Sequence, residues 1–348
     1  MDKLRVGVVG ASGYSGSVAA RLVATHPRLT LAFATSDKWA GDAFDAHLGV
    51  RIEKAGSDNS RFVPNASALE HAKDCDAVLL ATSAQVSLGL LPAFAELGKQ
   101  VIDISGAFRL EASQYPRWYG FEHTAPAWLA RAHYGLPEVF GAPPRGAGVV
   151  ANPGCYPTAS ILPLAPLLRE GLVEPAGLVI DAKSGVTGAG KQASEAYSFS
   201  EVDHDFRAYK ILAHQHTPEI TRALDRVAPG VKLTFTAHLL PVSRGLFATC
   251  YARPRAGATA ERVAQCLADT YGRSPFVRAV APNEVTLKRV VGTTACYVGA
   301  TADADVVVAF GAIDNLIKGA AGQAVQNLNA MNGWDEALGL DALQPLSA

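Results

Sequence analysis

The sequence predicts an α/β protein of two domains, a doubly wound parallel sheet followed by an α+β domain on a mixed or antiparallel sheet. Three observations predict it. A buried apolar strand at Leu4–Val9 runs straight into a glycine-rich turn and a helix. Strand and helix patterns then alternate to about residue 152, and beyond that strands follow one another with few helices between. A length of 348 residues is ample for two cores.

The turn after the first strand reads Gly10-Ala11-Ser12-Gly13-Tyr14-Ser15-Gly16 and opens a helix from Ser17 to about His26. With Gly7 it gives a G-x-x-G-x-x-G spacing. Such a turn lets backbone N–H groups and a helix N-terminus meet a pyrophosphate with no side chain in the way. A glycine pattern alone is weak; placed between a first strand and a helix it marks a Rossmann-type domain, expected over 1–152. The second strand, Thr30 to Thr35, ends in Ser36-Asp37-Lys38. A hydroxyl and a cation suit a 2′-phosphate, so NADP(H) is favoured, and Asp37 keeps NAD open. Strands follow at Asp76 to Ala81 and Gln100 to Ser105, with a helix from Ala84 to Leu97 between them. Arg109 comes just past the latter strand's carboxyl end, where ligands bind in such sheets.

Ala151-Asn152-Pro153-Gly154-Cys155-Tyr156-Pro157-Thr158 carries the chemistry. Gly148 to Val150 ends a buried strand, Pro153-Gly154 forces a turn, and an apolar helix runs on to about Arg169 with Pro157 in its first turn. Cys155 is thereby set near the positive end of a helix dipole, a setting that lowers a thiol pKa and favours the nucleophilic thiolate. An isolated cysteine is more often a small core residue, as Cys250, Cys266 and Cys296 are expected to be, with Cys75 in a loop before a strand.

Further on, a strand at Leu178 to Ala182 leads into Lys183-Ser184-Gly185-Val186-Thr187-Gly188-Ala189-Gly190-Lys191, a loop able to wrap an anion. His214-Gln215-His216 stand before a helix for which Thr217 is the expected N-cap and Pro218 the first residue. Both histidines suit proton transfer, with His216 favoured as acid/base, oriented by Glu219, and His214 as a substrate contact. A H-x-H pair also ligates metals, but no other ligands are grouped nearby, and no metal is expected. Val231 to Leu239 alternates as a strand, Pro241 to Gly245 turns, and Leu246 to Ala252 returns. Thr259 to Tyr271 reads as an amphipathic helix and Val306 to Ala312 as a strand. Asp314 then caps a helix to about Ala330.

A net charge of −1 gives no electrostatic case for nucleic acid or an anionic membrane, and no apolar run approaches a membrane span. Five scattered cysteines without a C-x-x-C pair and an N-terminus leading straight into a strand point to a cytoplasmic protein with no signal peptide. A nucleotide fold, a helix-capped cysteine, a histidine and anion-binding loops together fit one reaction, in which a thiolate takes an acyl group and a nicotinamide reduces the thioester.

The motifs also resemble a known family. GASGYSG (10–16), SGAFRL (105–110), YGLPE (134–138), NPGCYPTA (152–159), SGVTGAGK (184–191), HQHTPEI (214–220), PVSRG (241–245) and DNLIKGAAGQAVQNLN (314–329) occur in order over nearly the whole chain. Together they resemble the N-acetyl-gamma-glutamyl-phosphate reductases of arginine biosynthesis. The resemblance implies an NADPH-dependent reduction of N-acetyl-gamma-glutamyl phosphate to the semialdehyde, with release of inorganic phosphate and a thioacyl intermediate on Cys155. It implies His216 or His214 as acid/base and Arg109 at the substrate phosphate, with Asn152, His214 and Arg244 as further substrate contacts. Cofactor contacts fall on Gly10, Ser12, Gly13, Tyr14, Ser15, Gly16, Ser36, Lys38, Ser184, Gly185 and Asn315. It further implies a catalytic and oligomerisation domain at 153–313, a 314–348 segment returning to the first domain, and a homo-oligomer, dimer or tetramer. The chain departs from the family pattern at Gly106-Ala107, Lys191 and Gln215, where Ala-Asp, Arg and Arg are expected. Alternatives are a reductase of carrier-protein-linked acyl phosphates in lysine biosynthesis, which the lack of a basic patch disfavours, an aspartate-semialdehyde dehydrogenase, and a non-enzymatic NADP-binding regulator, which would need no nucleophile.

Overall fold

The computed structural model describes residues 3–50, 60–191 and 194–340. Among the described residues the chain divides into two units, one holding those up to Pro153 together with 320–340, the other holding Gly154–Gly319.

The first unit is built on six strands, β1 (Leu4–Val9), β2 (Leu29–Ala34), β3 (Ala77–Leu80), β4 (Gln100–Asp103), β5 (His133–Tyr134) and β6 (Val149–Ala151). They lie in the order β2-β1-β3-β4-β6-β5, every pair parallel. Both faces of such a sheet are covered, so its strands read as apolar runs rather than alternations. Val6, Val8 and Val9 of β1 and all four residues of β3 are buried. At Gly7 a Cβ would meet the Phe33 ring at 2.3 Å, so Phe33 of β2 packs directly on the β1 backbone. Helices Tyr14–Thr25 and Ala84–Glu96 follow β1 and β3, the second capped by Ser83, whose hydroxyl accepts from Val86 N–H. From β1 the chain moves one way to β2 and the other way to β3, which makes the switch point where doubly wound sheets take their ligands.

The helix Gly322–Met331 belongs to this unit and is buried along its whole length. Its buried face carries carboxamides, and each finds work: Asn327 Nδ2 donates to Gly135 O at 2.9 Å and to Asn152 Oδ1 at 3.1 Å, and Gln326 Nε2 donates to Glu138 and Glu336. Residues 341–348 of the expected 314–348 segment lie outside the described residues.

The second unit holds seven strands, β7 (Ala176–Gly185), β8 (Arg207–Tyr209), β9 (Lys232–Leu240), β10 (Leu246–Ala252), β11 (Val277–Ala279), β12 (Cys296–Ala302) and β13 (Val307–Ile313). Their order is β11-β12-β13-β10-β7-β9-β8, a mixed sheet in which β7/β9 and β11/β12 are parallel. The turn at Pro241–Gly245 does not close a hairpin, as the sequence led us to expect. Strand β7 lies between β9 and β10, and the five-residue connection crosses its end. Gly185 makes that crossing possible, because a Cβ there would meet Val242 O at 2.8 Å and Arg244 N at 2.9 Å.

On this sheet lies the helix Cys155–Arg169, with Pro163 and Pro166 inside it. Each proline removes an N–H and orphans the carbonyl four residues back, at Ala159 and Leu162. Leu162 O is recovered by the Tyr271 hydroxyl at 2.6 Å. Ala159 O faces Gly311 of β13, where a Cβ would stand only 2.0 Å away. The prolines thus fix how closely helix and sheet meet. Among the described residues no helix is long and apolar enough to cross a membrane.

Candidate active site

In the second unit the site begins at a helix start. Gly154 occupies the N-cap position in extended conformation, no side chain caps the helix, and Cys155 is its first residue, half-buried. The helix runs from Cys155, and Pro157 falls in its first turn as expected. The first N–H groups of a helix have no acceptor within it, and the dipole end they form stabilises a thiolate. Gly154 N–H is taken by the buried Glu219 carboxylate, Oε1 accepting at 2.9 Å. From the other side the backbone of Gly319, in a π-helical turn Ile317–Ala321, presses on Cys155: a Cβ at Gly319 would lie 2.7 Å from Cys155 Cβ.

The two histidines gather round Tyr156, with ring centroids at 5.3 Å for His214 and 5.8 Å for His216 and 4.8 Å between themselves. The helix starts at His216, not after a Thr217 cap. His214 Nδ1 accepts the His216 N–H, the first of the helix, at 3.1 Å. That bond requires the Nδ1 lone pair, and burial, with Lys210 adding to it, pushes the His214 pKa down to about 3. His214 is a neutral, buried imidazole. His216 is half-buried at the start of the helix. The Glu219 carboxylate, expected to orient His216, also has the Gly154 N–H before Cys155 as a partner. The hydroxyls of Tyr156 and Tyr209 meet at 2.8 Å, and burial raises both pKa values, so both phenols stay protonated.

Arg244 is held by Nη2 donating to Asp314 Oδ1 at 3.1 Å, and Asp314 is itself fully buried, accepting from Gly292, Leu316 and Ile317 N–H. Arg244 Nε is buried and meets no acceptor among the described residues, an orphan that a substrate anion would satisfy. Asn315 spends its amide on protein partners: Oδ1 accepts from Gly245 N–H at 2.8 Å and Nδ2 donates to Thr187 Oγ1 at 3.0 Å. Ser184 Oγ donates to Gly185 O. These residues brace the 185–187 and 243–245 stretches against each other, where Val186 and Thr187 N–H donate to Val242 and Ser243 carbonyls.

In the first unit the glycine turn lies past β1. Gly10 has φ +85°, and a Cβ there would meet Ala81 O at 2.6 Å; at Gly16 it would meet Gly10 O at 2.1 Å. No side chain caps the helix that follows, and Ser12, Gly13, Tyr14 and Ser15 are half-buried around the turn. The cradle is bare backbone facing a helix start, which fits a dinucleotide pyrophosphate. Past β2, Ser36 is buried with Oγ accepting from Trp39 N–H, while Lys38 is exposed. Asp37 is committed to Asn65, whose N–H and Nδ2 both donate to its carboxylate at 2.8 Å. Arg109, past β4, is buried, with Nη2 donating to Ile104 O at 2.7 Å. Asn152 is buried, donating to Ala320 O at 3.1 Å and accepting from Asn327.

Residues 5–144 match the family model of the semialdehyde dehydrogenase NAD binding domain, and residues 155–315 that of the semialdehyde dehydrogenase dimerisation domain. N-acetyl-gamma-glutamyl-phosphate reductase of Magnetococcus marinus is 41% identical over 98% of both chains. The chain belongs to the N-acetyl-gamma-glutamyl-phosphate reductase family. The enzyme of that name from Geobacillus stearothermophilus is likewise 41% identical, over 98% of this chain and 99% of its own. Among solved structures, aspartate semialdehyde dehydrogenase II of Vibrio cholerae matches with a TM-score of 0.70 at 17% identity, covering 95% of this chain and 98% of that one. That likeness is one of fold.

The family membership makes the chain an oxidoreductase with a nicotinamide-dinucleotide-binding first unit. Sequence reasoning missed the bond from Glu219 to the nucleophile's turn and the pressure of Gly319 on Cys155. The signal for the first was a glutamate in the first turn of the histidine helix. For the second it was a glycine inside an otherwise apolar helical run, where glycine costs stability unless a neighbour must come close.

Proposed function

We propose that the chain reduces N-acetyl-gamma-glutamyl phosphate to N-acetylglutamate 5-semialdehyde, releasing inorganic phosphate, with NADPH as donor. The observation that carries this is Cys155 as first residue of an uncapped helix, followed by Tyr156, around which a neutral His214 and a half-buried His216 pack. In this reading His216 takes the Cys155 proton, and the thiolate attacks the acyl carbon. A C–S bond forms, the C–O bond to phosphate breaks, and phosphate leaves with its charge met by Arg109. NADPH, when bound, supplies the hydride that reduces the thioester. The C–S bond then breaks, the aldehyde departs, and His216 returns the proton to the released thiolate. Arg244, anchored by Asp314, holds the carboxylate end of the substrate through its orphan Nε. NADPH is favoured over NADH because Asp37, the acid that would hold a ribose 2′-OH, is occupied by Asn65, while Lys38 stands exposed beside it. The match to a dimerisation domain supports a homo-oligomer as the working form.

The test is the reverse reaction. NADP⁺ should be reduced by N-acetylglutamate semialdehyde only when inorganic phosphate is present, and aspartate semialdehyde should be a poor substitute. Reduction independent of phosphate, or equal rates with both aldehydes, contradicts the proposal.

A further inference from the structure

We infer that Tyr115 is a positioning residue for Arg109, its hydroxyl fixing the turn that aims the guanidinium at the substrate phosphate. The inference rests on the phosphate role proposed above for Arg109 and deepens it. Residues 105–110 leave the carboxyl end of β4 with no regular ladder to hold them, so their backbone groups need other partners. One hydroxyl serves three of them. The Tyr115 hydroxyl donates to Gly106 O at 3.0 Å and accepts from Arg109 N–H at 3.0 Å and Leu110 N–H at 3.3 Å. A phenol has one proton and two acceptor sites, and all three are used.

Tyr115 itself cannot swing away. It is fully buried at the head of the short helix Tyr115–Tyr119, its ring packed 4.6 Å from His123 and 5.2 Å from Tyr119. Tyr119 closes the turn from the other side, since a Cβ at Gly106 would collide with its hydroxyl at 1.9 Å. Burial raises the Tyr115 pKa, so the hydroxyl keeps the proton that Gly106 O receives. With its backbone pinned, Arg109 has its guanidinium steadied by Ile104 O at 2.7 Å and by the nearby buried Asp103. A preorganised arginine binds phosphate without first losing its conformational freedom. The tyrosine does not touch substrate and acts only through Arg109.

Tyr115→Phe removes the hydroxyl and keeps the ring. In the reverse reaction it should raise the KM for inorganic phosphate about tenfold, with the KM for NADP⁺ changed less than about twofold. The decisive measurement repeats the substitution in an Arg109→Ala background, where the additional rise in phosphate KM should be less than about twofold. A rise of the same factor in both backgrounds, or a rise in the KM of NADP⁺ equal to that for phosphate, overturns the inference while leaving the role of Arg109 intact. If Arg109→Ala alone leaves the phosphate KM unchanged, the phosphate role of Arg109 falls and the inference with it. Thermal melting of each variant guards the comparison, and Arg109→Lys, which keeps a cation, should retain sensitivity to Tyr115→Phe.

Discussion

The division of labour proposed for His214 and His216 rests on one hydrogen bond. Because His214 Nδ1 accepts the His216 N–H, protonating His214 would set two donors against each other inside a buried site. In this account His216→Asn should depress kcat and flatten the pH–rate profile. His214→Asn keeps an acceptor two residues before that N–H, and should mainly raise KM with the pH profile retained. Loss of the profile in the His214 variant reverses the assignment. The same residue writes a stability signature. Its folded pKa, about 3, lies below the unfolded value near 6.5, so between these pH values the unfolded chain binds more protons. Stability is fully present above about pH 6.5 and falls as pH drops, by up to about 1.4 kcal/mol per pH unit from this group. His26 and His123, also lowered by burial, act with the same sign. Denaturant midpoints at about pH 7.5 and about pH 5 should differ less in His214→Asn than in the parent chain; an unchanged difference removes His214 as a cause. At the cofactor, Lys38→Ala should lower the ratio of NADPH to NADH efficiency about tenfold or more, read by steady-state kinetics with both donors. An unmoved ratio means the 2′-phosphate is held elsewhere.

The nucleophile's helix shows how an element is tuned by its breaks. Two prolines orphan two carbonyls: Leu162 O is met by a tyrosine hydroxyl, and Ala159 O lies against a glycine of β13. Tyr271→Phe should cost about 1–3 kcal/mol of stability in denaturant unfolding, because it leaves a buried acceptor unmet. A cost near zero would show that water reaches Leu162 O. This level was only partly legible beforehand. The helix was plain from its apolar run, whereas its start at Cys155 depended on Gly154 adopting extended geometry with Glu219 on its N–H, a partner 65 residues away in sequence. The Thr217 cap failed because the helix already starts at His216, which places Thr217 inside its first turn. Strands β9 and β10 were read correctly as strands, but their pairing was not, because β7 inserts between them and only Gly185 hinted at such a close crossing.

At the scale of the whole molecule, the first unit was the more readable because its signals are local. A glycine turn between strand and helix, and apolar runs at short spacing, depend on neighbours in sequence, and β1 to β4 stand within one or two residues of where the pattern put them. The short strands β5, β8 and β11 carry two or three residues each and owe their existence to the sheet they join. The site shows the same contrast: Cys155 announced itself by its turn, while the roles of Glu219, Gly319 and Tyr115 come from long-range contacts that no window of sequence contains. The claim on which everything else depends is that Cys155 carries the acyl group. Mixing the protein with N-acetyl-gamma-glutamyl phosphate in the absence of NADPH, quenching in acid and measuring the intact mass tests it directly. A mass gain equal to one N-acetylglutamyl group, located on the peptide containing Cys155 and lost on adding NADPH, is the predicted result. No adduct on the parent protein, or an adduct that persists in Cys155→Ser, contradicts the account.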